Sequence, residues 1–275
     1  MSDPISGLIE RQRLIYDKLG CSPQVELSGV VGPNGVAAGK LRGESLWSVT
    51  INLEVWRIAG LTVRLDKLTI RRQVTDEQLR LLKEKIRPGL VIAGTIRLAD
   101  DGVDPPQGLF DRLDPVEPPD PELVLQAKKL AEPRCIEDEN LGSLVLDRRV
   151  GWFRGRLQLN GTTVILNVAP DKLDAPTEAV SAARVVQSGL QEWHVIASRF
   201  ATQRLLPVKN QSWLHDAGSA MAAEDFCEKI SLKEVTVFSN GKVDFWFDDG
   251  DIFGGHSIQV SATVDAGPFD ASICG

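Results

Sequence analysis

The chain lacks most of the patterns by which a sequence announces its chemistry. Its four cysteines, Cys21, Cys135, Cys227 and Cys274, are widely scattered in 275 residues and form no C-x-x-C pair. That spacing excludes zinc-knuckle and thioredoxin-type sites. Four buried or idle thiols in a reducing cytosol is the favoured reading; two disulfides stay open only for an oxidising compartment. No apolar run approaches the roughly 18 residues of a membrane span. The N-terminal stretch lacks the charged-then-apolar pattern of a signal peptide. A cytoplasmic protein, neither exported nor anchored, is therefore expected. There is no G-x-G-x-x-G, P-loop or G-x-S-x-G motif. Basic residues are in deficit, 31 against 38 acidic ones, for a net charge of −7. Phosphate recognition needs a basic surface, so nucleic acid is not the expected partner. The sign fits a basic protein partner or a cationic ligand better.

What is present is a packable chain. Hydrophobic residues make up 43% and charged residues 25%, the proportions of a soluble globular protein. Ile5, Leu8, Ile9, Ile15 and Leu19 stand at helical spacing before Gly20, which predicts a helix over 5–19. The glycine-rich stretch from Ser28 to Gly43 reads as turn and loop. Val49, Ile51, Leu53 and Val55 alternate with polar residues, predicting a half-buried strand. Leu61, Val63 and Leu65 alternate again, and Ala59-Gly60 predicts a hairpin between the two runs. Thr75 and Gln78 form a capping-box pair that opens a helix ended by Pro88-Gly89. Residues 90–98 read as another strand.

Residues 100–121 hold six of the fifteen prolines and seven acidic residues. Such a segment reads as a linker between domains, although Leu109, Phe110 and Leu113 could dock it. Asp120 and Pro121 then start a short helix as N-cap and first helical residue. Asn160-Gly161 and Asn240-Gly241 each mark a tight hairpin. Residues 177–205 read as one long helix or two, with Pro207 as terminator, and a further short helix carries Phe226 and Ile230 inward. The expected fold class is α+β, with mainly antiparallel sheets and packed helices. Two domains are expected, 1–99 and 122–275, joined by the linker 100–121.

Leu146-Asp147-Arg148-Arg149, Gly151-Trp152-Phe153, Gly155 and Asn160-Gly161 form one characteristic string. Phe245-Trp246-Phe247-Asp248-Asp249-Gly250-Asp251, with Phe253, Gly255-His256 and Ser257, forms another. Together they make the C-terminal half, from about residue 120 onward, resemble the bacterial domain of unknown function 2262 family. One departure is Gly254, where an aromatic residue is expected. The resemblance implies a soluble bacterial protein and supplies no activity, cofactor or catalytic role.

Two constellations carry potential chemistry. In a strand, residues two apart share a face. Phe245 and Phe247 therefore enter the core, and Trp246 lies opposite with Asp244 and Asp248. Asp249-Gly250 is a turn signature. Asp248, Asp251 and His256 are then the candidate cluster, with Trp246 beside them. One reading is a divalent-metal or acid–base site, which would require the three to converge. The other is a capped turn in which His256 bonds an aspartate or a carbonyl. The expectation carried forward is that His256 pairs with Asp248 or Asp251. The second constellation is Trp152, Arg154 and Arg156 on one strand face, suited to a partner or an anionic ligand. The bland alternative is a Trp packed under arginine stems.

Nucleophilic catalysis has little support. Ser257 and His256 point to opposite faces if both lie in one strand. His194 reads as a surface or half-buried helix residue, and His215 as a loop residue next to Asp216. Cys227 stands among Glu224 and Glu228, surroundings that do not activate a thiol. The expected function is a non-enzymatic binding protein, of the immunity or adaptor kind, that recognises a protein partner. The alternatives are a metal-dependent hydrolase centred on Asp248, Asp251 and His256, and a small-ligand sensor. No cofactor is expected apart from the divalent metal of the hydrolase reading.

Overall fold

The computed structural model describes residues 13–41, 43–99, 106–213 and 220–275. The chain divides into two compact units, Met1–Glu132 and Pro133–Gly275. The first residues of the helix expected over 5–19 lie outside the described residues. So do His215, Asp216 and residues 100–105 of the expected linker.

The first unit contains helix α1, described over residues 13–20. It is followed by β1 (Gln24–Gly39), β2 (Trp47–Ile58), β3 (Leu68–Val74), α2 (Asp76–Lys85), β4 (Val91–Ala99), β5 (Gln107–Pro115) and α3 (Pro121–Ala131). The five strands close into a barrel in the order β1-β2-β3-β5-β4. Every pairing is antiparallel except β3 with β5. This is a five-stranded Greek-key barrel of the OB type, an architecture that fixes no function by itself. Val49, Ile51 and Leu53 are fully buried in the core, as their alternation predicts. Thr75 and Gln78 form the capping box of α2, each bonding the other's backbone N–H.

Three sequence expectations change here, each because barrel closure is non-local. The glycine-rich stretch is largely strand: β1 runs for 16 residues and pairs with both β2 and β4. Its glycines serve close approach, since a Cβ on Gly29 would meet the Leu53 side chain and the Val55 carbonyl at 2.9 Å. Residues 61–67 are not a strand; only Arg64 bridges back, to Trp56. Of that alternation Leu61 and Leu65 are exposed, and only Val63 packs against a core cluster. The middle of the expected linker is β5, with Phe110 and Leu113 buried inward. Its prolines do not interrupt the ladder, because Pro106 precedes the strand and Pro115 ends it. α3 also belongs to this unit. The Asp120 carboxylate caps the Glu122 and Leu123 amides and meets Arg57 of β2, which also pairs with Glu122 at 3.1 Å. The boundary between units therefore falls at Glu132/Pro133.

The second unit begins with β6 (Cys135–Asp138), β7 (Gly142–Asp147), β8 (Trp152–Leu159) and β9 (Thr162–Ala169). Helices α4 (Thr177–Ser188), α5 (Leu190–Ser212) and α6 (Ala223–Lys229) follow. β10 (Ser231–Phe238), β11 (Lys242–Asp248), β12 (Ser257–Thr263) and β13 (Gly267–Cys274) close the chain. The eight strands form one sheet in the order β13-β12-β11-β10-β9-β8-β7-β6. All neighbours are antiparallel except β9 and β10. A parallel pair cannot be joined by a tight turn, so the chain must cross over, and the three helices make that crossing.

The helices pack on one sheet face. Phe245, Val235, Leu166 and Phe153 lie on that face and are fully buried with Ala183, Ala197 and Ala201. Trp193 of α5 stacks on Phe245, ring centres 5.6 Å apart. Arg184 of α4 grips Asp138 of β6 with two nitrogens, at 2.9 and 2.6 Å. That guanidinium holds the Asp138 carboxyl below its usual range. The long helical segment breaks at Gly189, and α5 continues through Pro207 to Ser212 instead of ending there. The missing proline N–H costs one helical bond, and the buried Lys209 supplies a donor near the end, bonding the Trp213 carbonyl at 2.6 Å.

Where backbones approach most closely, a single methyl is decisive. A Cβ on Gly94 of β4 would collide with the Arg112 carbonyl of β5. Gly94→Ala should destabilise the first unit by about 2 kcal/mol or more, because backbone must shift to admit the methyl. Urea unfolding checks this, and a substitution within 0.5 kcal/mol of neutral, roughly the surface-substitution range, would contradict it.

Candidate functional site

The sheet face turned away from α4, α5 and α6 is polar. Strand alternation places Trp152, Arg154 and Arg156 there, as expected, with Arg154 and Arg156 exposed and Trp152 half-buried. Trp246 and Asp248 of β11 share this face, because Phe245 and Phe247 fill the core on the other. Two members of the first constellation, Trp246 and Asp248, thus share a sheet face with the second.

Register aligns a polar row across it. Arg154 stands opposite Asn167, Asn167 opposite Thr236, Thr236 opposite Asp244, and Asp244 opposite Ser261. Asn167, Thr236, Asp244 and Ser261 are buried despite lying outside the apolar layer. A buried polar group must be hydrogen-bonded, and these are. Arg154 Nε donates to Asn167 Oδ1 at 3.2 Å. Asn167 Nδ2 donates to Glu234 Oε1 at 2.6 Å and lies 3.4 Å from Thr236 Oγ1. The Asp244 carboxylate accepts from Ser261 Oγ at 2.6 Å and from Lys242 Nζ at 3.1 Å. Trp152 meets Phe238 edge-on at 6.2 Å, and Lys242 lies 5.4 Å from the centre of the same Phe238 ring. Trp152 is therefore anchored by an aromatic neighbour.

The row was not legible in the sequence. Its members come from four strands between Asn167 and Ser261, and each alone looks like an ordinary strand residue. The one local signal is Asn167 inside the apolar run of β9. Chemically, the arrangement is a satisfied polar network. It fixes side-chain positions on a flat surface and leaves no partnerless nucleophile or base in the row.

The acidic turn is built differently from the expected cluster. Asp248 Oδ1 accepts the Gly250 N–H at 3.0 Å. Asp251 is exposed, with φ 66, a left-handed position that Asp tolerates better than most residues. His256 Nδ1 lies 2.6 Å from the Phe253 carbonyl, and its ring meets Trp213 edge-on at 5.5 Å. The expected pairing of His256 with Asp248 or Asp251 gives way to this backbone contact. Among the described residues, no three His, Cys, Asp or Glu side chains are grouped as a metal site requires. The structural centre of the turn is Asp249, which is 2% exposed. Its carboxylate accepts the N–H groups of Asp251 at 3.0 Å, Phe253 at 2.7 Å and Gly255 at 3.2 Å. Sequence reading assigned Asp249 only to a bend, because nothing local shows that three later amides turn back to it.

With the turn and sheet face in place, the chain can be set beside known families. Residues 138–273 match the model described as an uncharacterized protein conserved in bacteria, DUF2262. The resemblance drawn from the two aromatic strings holds over that span. The DUF2262 region runs from the last residue of β6 into β13, so it contains the polar row and the acidic turn. Residues 12–127 match a second model, a domain of unknown function, DUF7021, which covers the barrel and reaches α3. Neither description names an activity. No curated protein matches the chain. No helix among the described residues is long and apolar enough to cross a membrane.

Two substitutions separate scaffold from surface in the turn. Asp249→Ala should destabilise the second unit by about 3 kcal/mol, because it strips acceptors from amides in a buried turn. Asp251→Asn should stay within about 0.5 kcal/mol, as an exposed side chain in a tolerated conformation. Urea unfolding of both variants checks the contrast; equal effects would contradict it.

A pH dependence follows from α5. Among the described residues the buried His194 Nδ1 meets no hydrogen-bond partner, and its ring lies 6.1 Å from that of Phe247. Burial pushes its pKa below the ordinary value. The unfolded chain therefore takes up this proton at higher pH than the folded one. The stability difference between wild type and His194→Phe should be constant above about pH 7.5, a unit over the free imidazole value. It should turn against the wild type as pH falls through about 6.5 and below, until the folded pKa is passed. Thermal unfolding across pH 5–8, roughly the range in which histidine titrates, reads this slope, and parallel curves would contradict it.

Proposed function

We propose that the chain is a non-enzymatic binding protein that recognises a basic protein partner through the helix-free face of the eight-stranded sheet. The observation that carries the reading is the composition of that face. Two half-buried tryptophans, Trp152 and Trp246, stand among exposed charged side chains on a rigid, hydrogen-bonded platform. Tryptophan and arginine are the side chains that most often anchor protein interfaces, and a fixed platform lowers the ordering cost of binding. Charge supports the sign of the partner. Residues 133–275 carry 19 Asp and Glu against 13 Lys and Arg, a net −6 of the chain's −7. Such a field favours encounter with a basic surface. The hydrolase alternative finds no comparable support, since Asp248 and His256 bond local backbone.

The test is affinity purification of the tagged full chain from a bacterial host, alongside Trp152→Ala and Trp246→Ala. A basic protein should co-purify stoichiometrically with the wild type. Each variant should weaken its binding by about tenfold or more while keeping the wild-type melting temperature. Retention of the same partner by the double variant would remove the sheet face from the interface. Recovery of an acidic partner would overturn the assigned sign.

A further inference from the structure

A second site lies in the first unit, independent of the sheet face. A cleft of about 330 Å³ opens between α2 and β5. Its α2 wall is Gln78, Leu81, Leu82 and Lys85, the positions i, i+3, i+4 and i+7 that share one helix face. Leu79, the buried residue of α2, faces the barrel core, and Leu82 packs partly against that core while also lining the gap. The floor is apolar, with Val74, Phe110 and Leu113 almost fully buried. Leu81, on the cleft wall, remains 40% exposed.

The rim is cationic in balance. Arg72, Lys85 and Arg112 stand around the opening against Asp111 and Asp114. Asp114 is already met by both Arg112 and Lys85, the latter at 3.7 Å. Arg72 does not pair with the Asp111 carboxylate: its guanidinium donates to the Asp111 backbone carbonyl and lies 5.9 Å from the Phe110 ring centre. Among the described residues, no carboxylate pairs with Arg72, and a carbonyl does not neutralise its charge. Gln78 is held by the capping box through Oε1, which leaves its amide N–H groups as donors. An apolar floor under a surplus positive charge and neutral donors selects one chemistry. A guanidinium bonds a carboxylate in two-pronged fashion, and the apolar body fills the space below.

We propose that this cleft binds a small organic carboxylate with an apolar body. Its volume stands near the lower end of the roughly 300–1,000 Å³ of ligand pockets, so the ligand is about the size of an aromatic acid.

The test uses benzoate as probe on the full chain, with benzyl alcohol and acetate as controls, read by the ¹³C-methyl resonances of Leu81 and Leu82. Benzoate should shift both leucines saturably. Benzyl alcohol, which keeps the ring without the charge, and acetate, which keeps the charge without the ring, should each bind about tenfold more weakly or worse. Arg72→Gln should reduce benzoate affinity about tenfold, and Lys85→Gln by a smaller factor. Lys85 is exposed, so its variant keeps the fold and reports on charge alone. Equal affinity for benzyl alcohol, or benzoate binding unchanged in both variants, would overturn the carboxylate assignment. Leucine resonances unmoved by benzoate would overturn the site.

Discussion

The second unit rests on the parallel pairing of β9 with β10. Glu234 to Phe238 run alongside Ile165 to Ala169 in the same direction, so the chain must leave the sheet and return. The crossing supplies α4, α5 and α6 and therefore the whole helical layer. Because those helices share one face, strand residues divide cleanly. Phe153, Leu166, Val235 and Phe245 are buried beneath helices, and the alternate positions carry charge and hydrogen bonds. Antiparallel hairpins on either side then only extend the sheet. The polar row is a consequence of this division: small polar side chains flanked by long ones on a face that no α4–α6 residue covers.

Much of the fold was legible where its cause is local. Alternation at Val49–Val55 and around Trp246, the Thr75/Gln78 capping pair and the Asn160-Gly161 turn act within a few residues and gave correct elements. β1 and β5 were misread because their cause is distant. Gly29 stands where it does because β2 passes close by, and Gly94 because the Arg112 carbonyl does. A glycine chosen for room looks, in sequence, like a glycine chosen for a turn. The prolines around β5 mislead in the same way, since only the completed barrel shows that they bracket a ladder instead of breaking it.

The candidate site follows the same division. Which side of a strand Trp152, Arg154, Arg156, Trp246 and Asp248 occupy is a matter of parity, and parity is readable. That both strands share one sheet, with two others between them, depends on topology. The pairing of His256 with an aspartate gives way to the carbonyl form of the capped turn, and which carbonyl it meets, that of Phe253, no pattern marks. Asp249 was undervalued for the related reason that its three partners are backbone amides.

That buried carboxylate has a kinetic consequence. The amides of Phe253 and Gly255 lie outside any strand, where loop amides ordinarily exchange with solvent after small local openings. Here an opening that frees them must also detach them from a buried anion, leaving its charge without donors in an apolar setting. Phe253 itself is fully buried against Phe226 and Trp213. The loop between β11 and β12 is thereby joined to the cooperative unit of the sheet. It opens when the sheet opens, so a segment that looks irregular in shape behaves as part of the core.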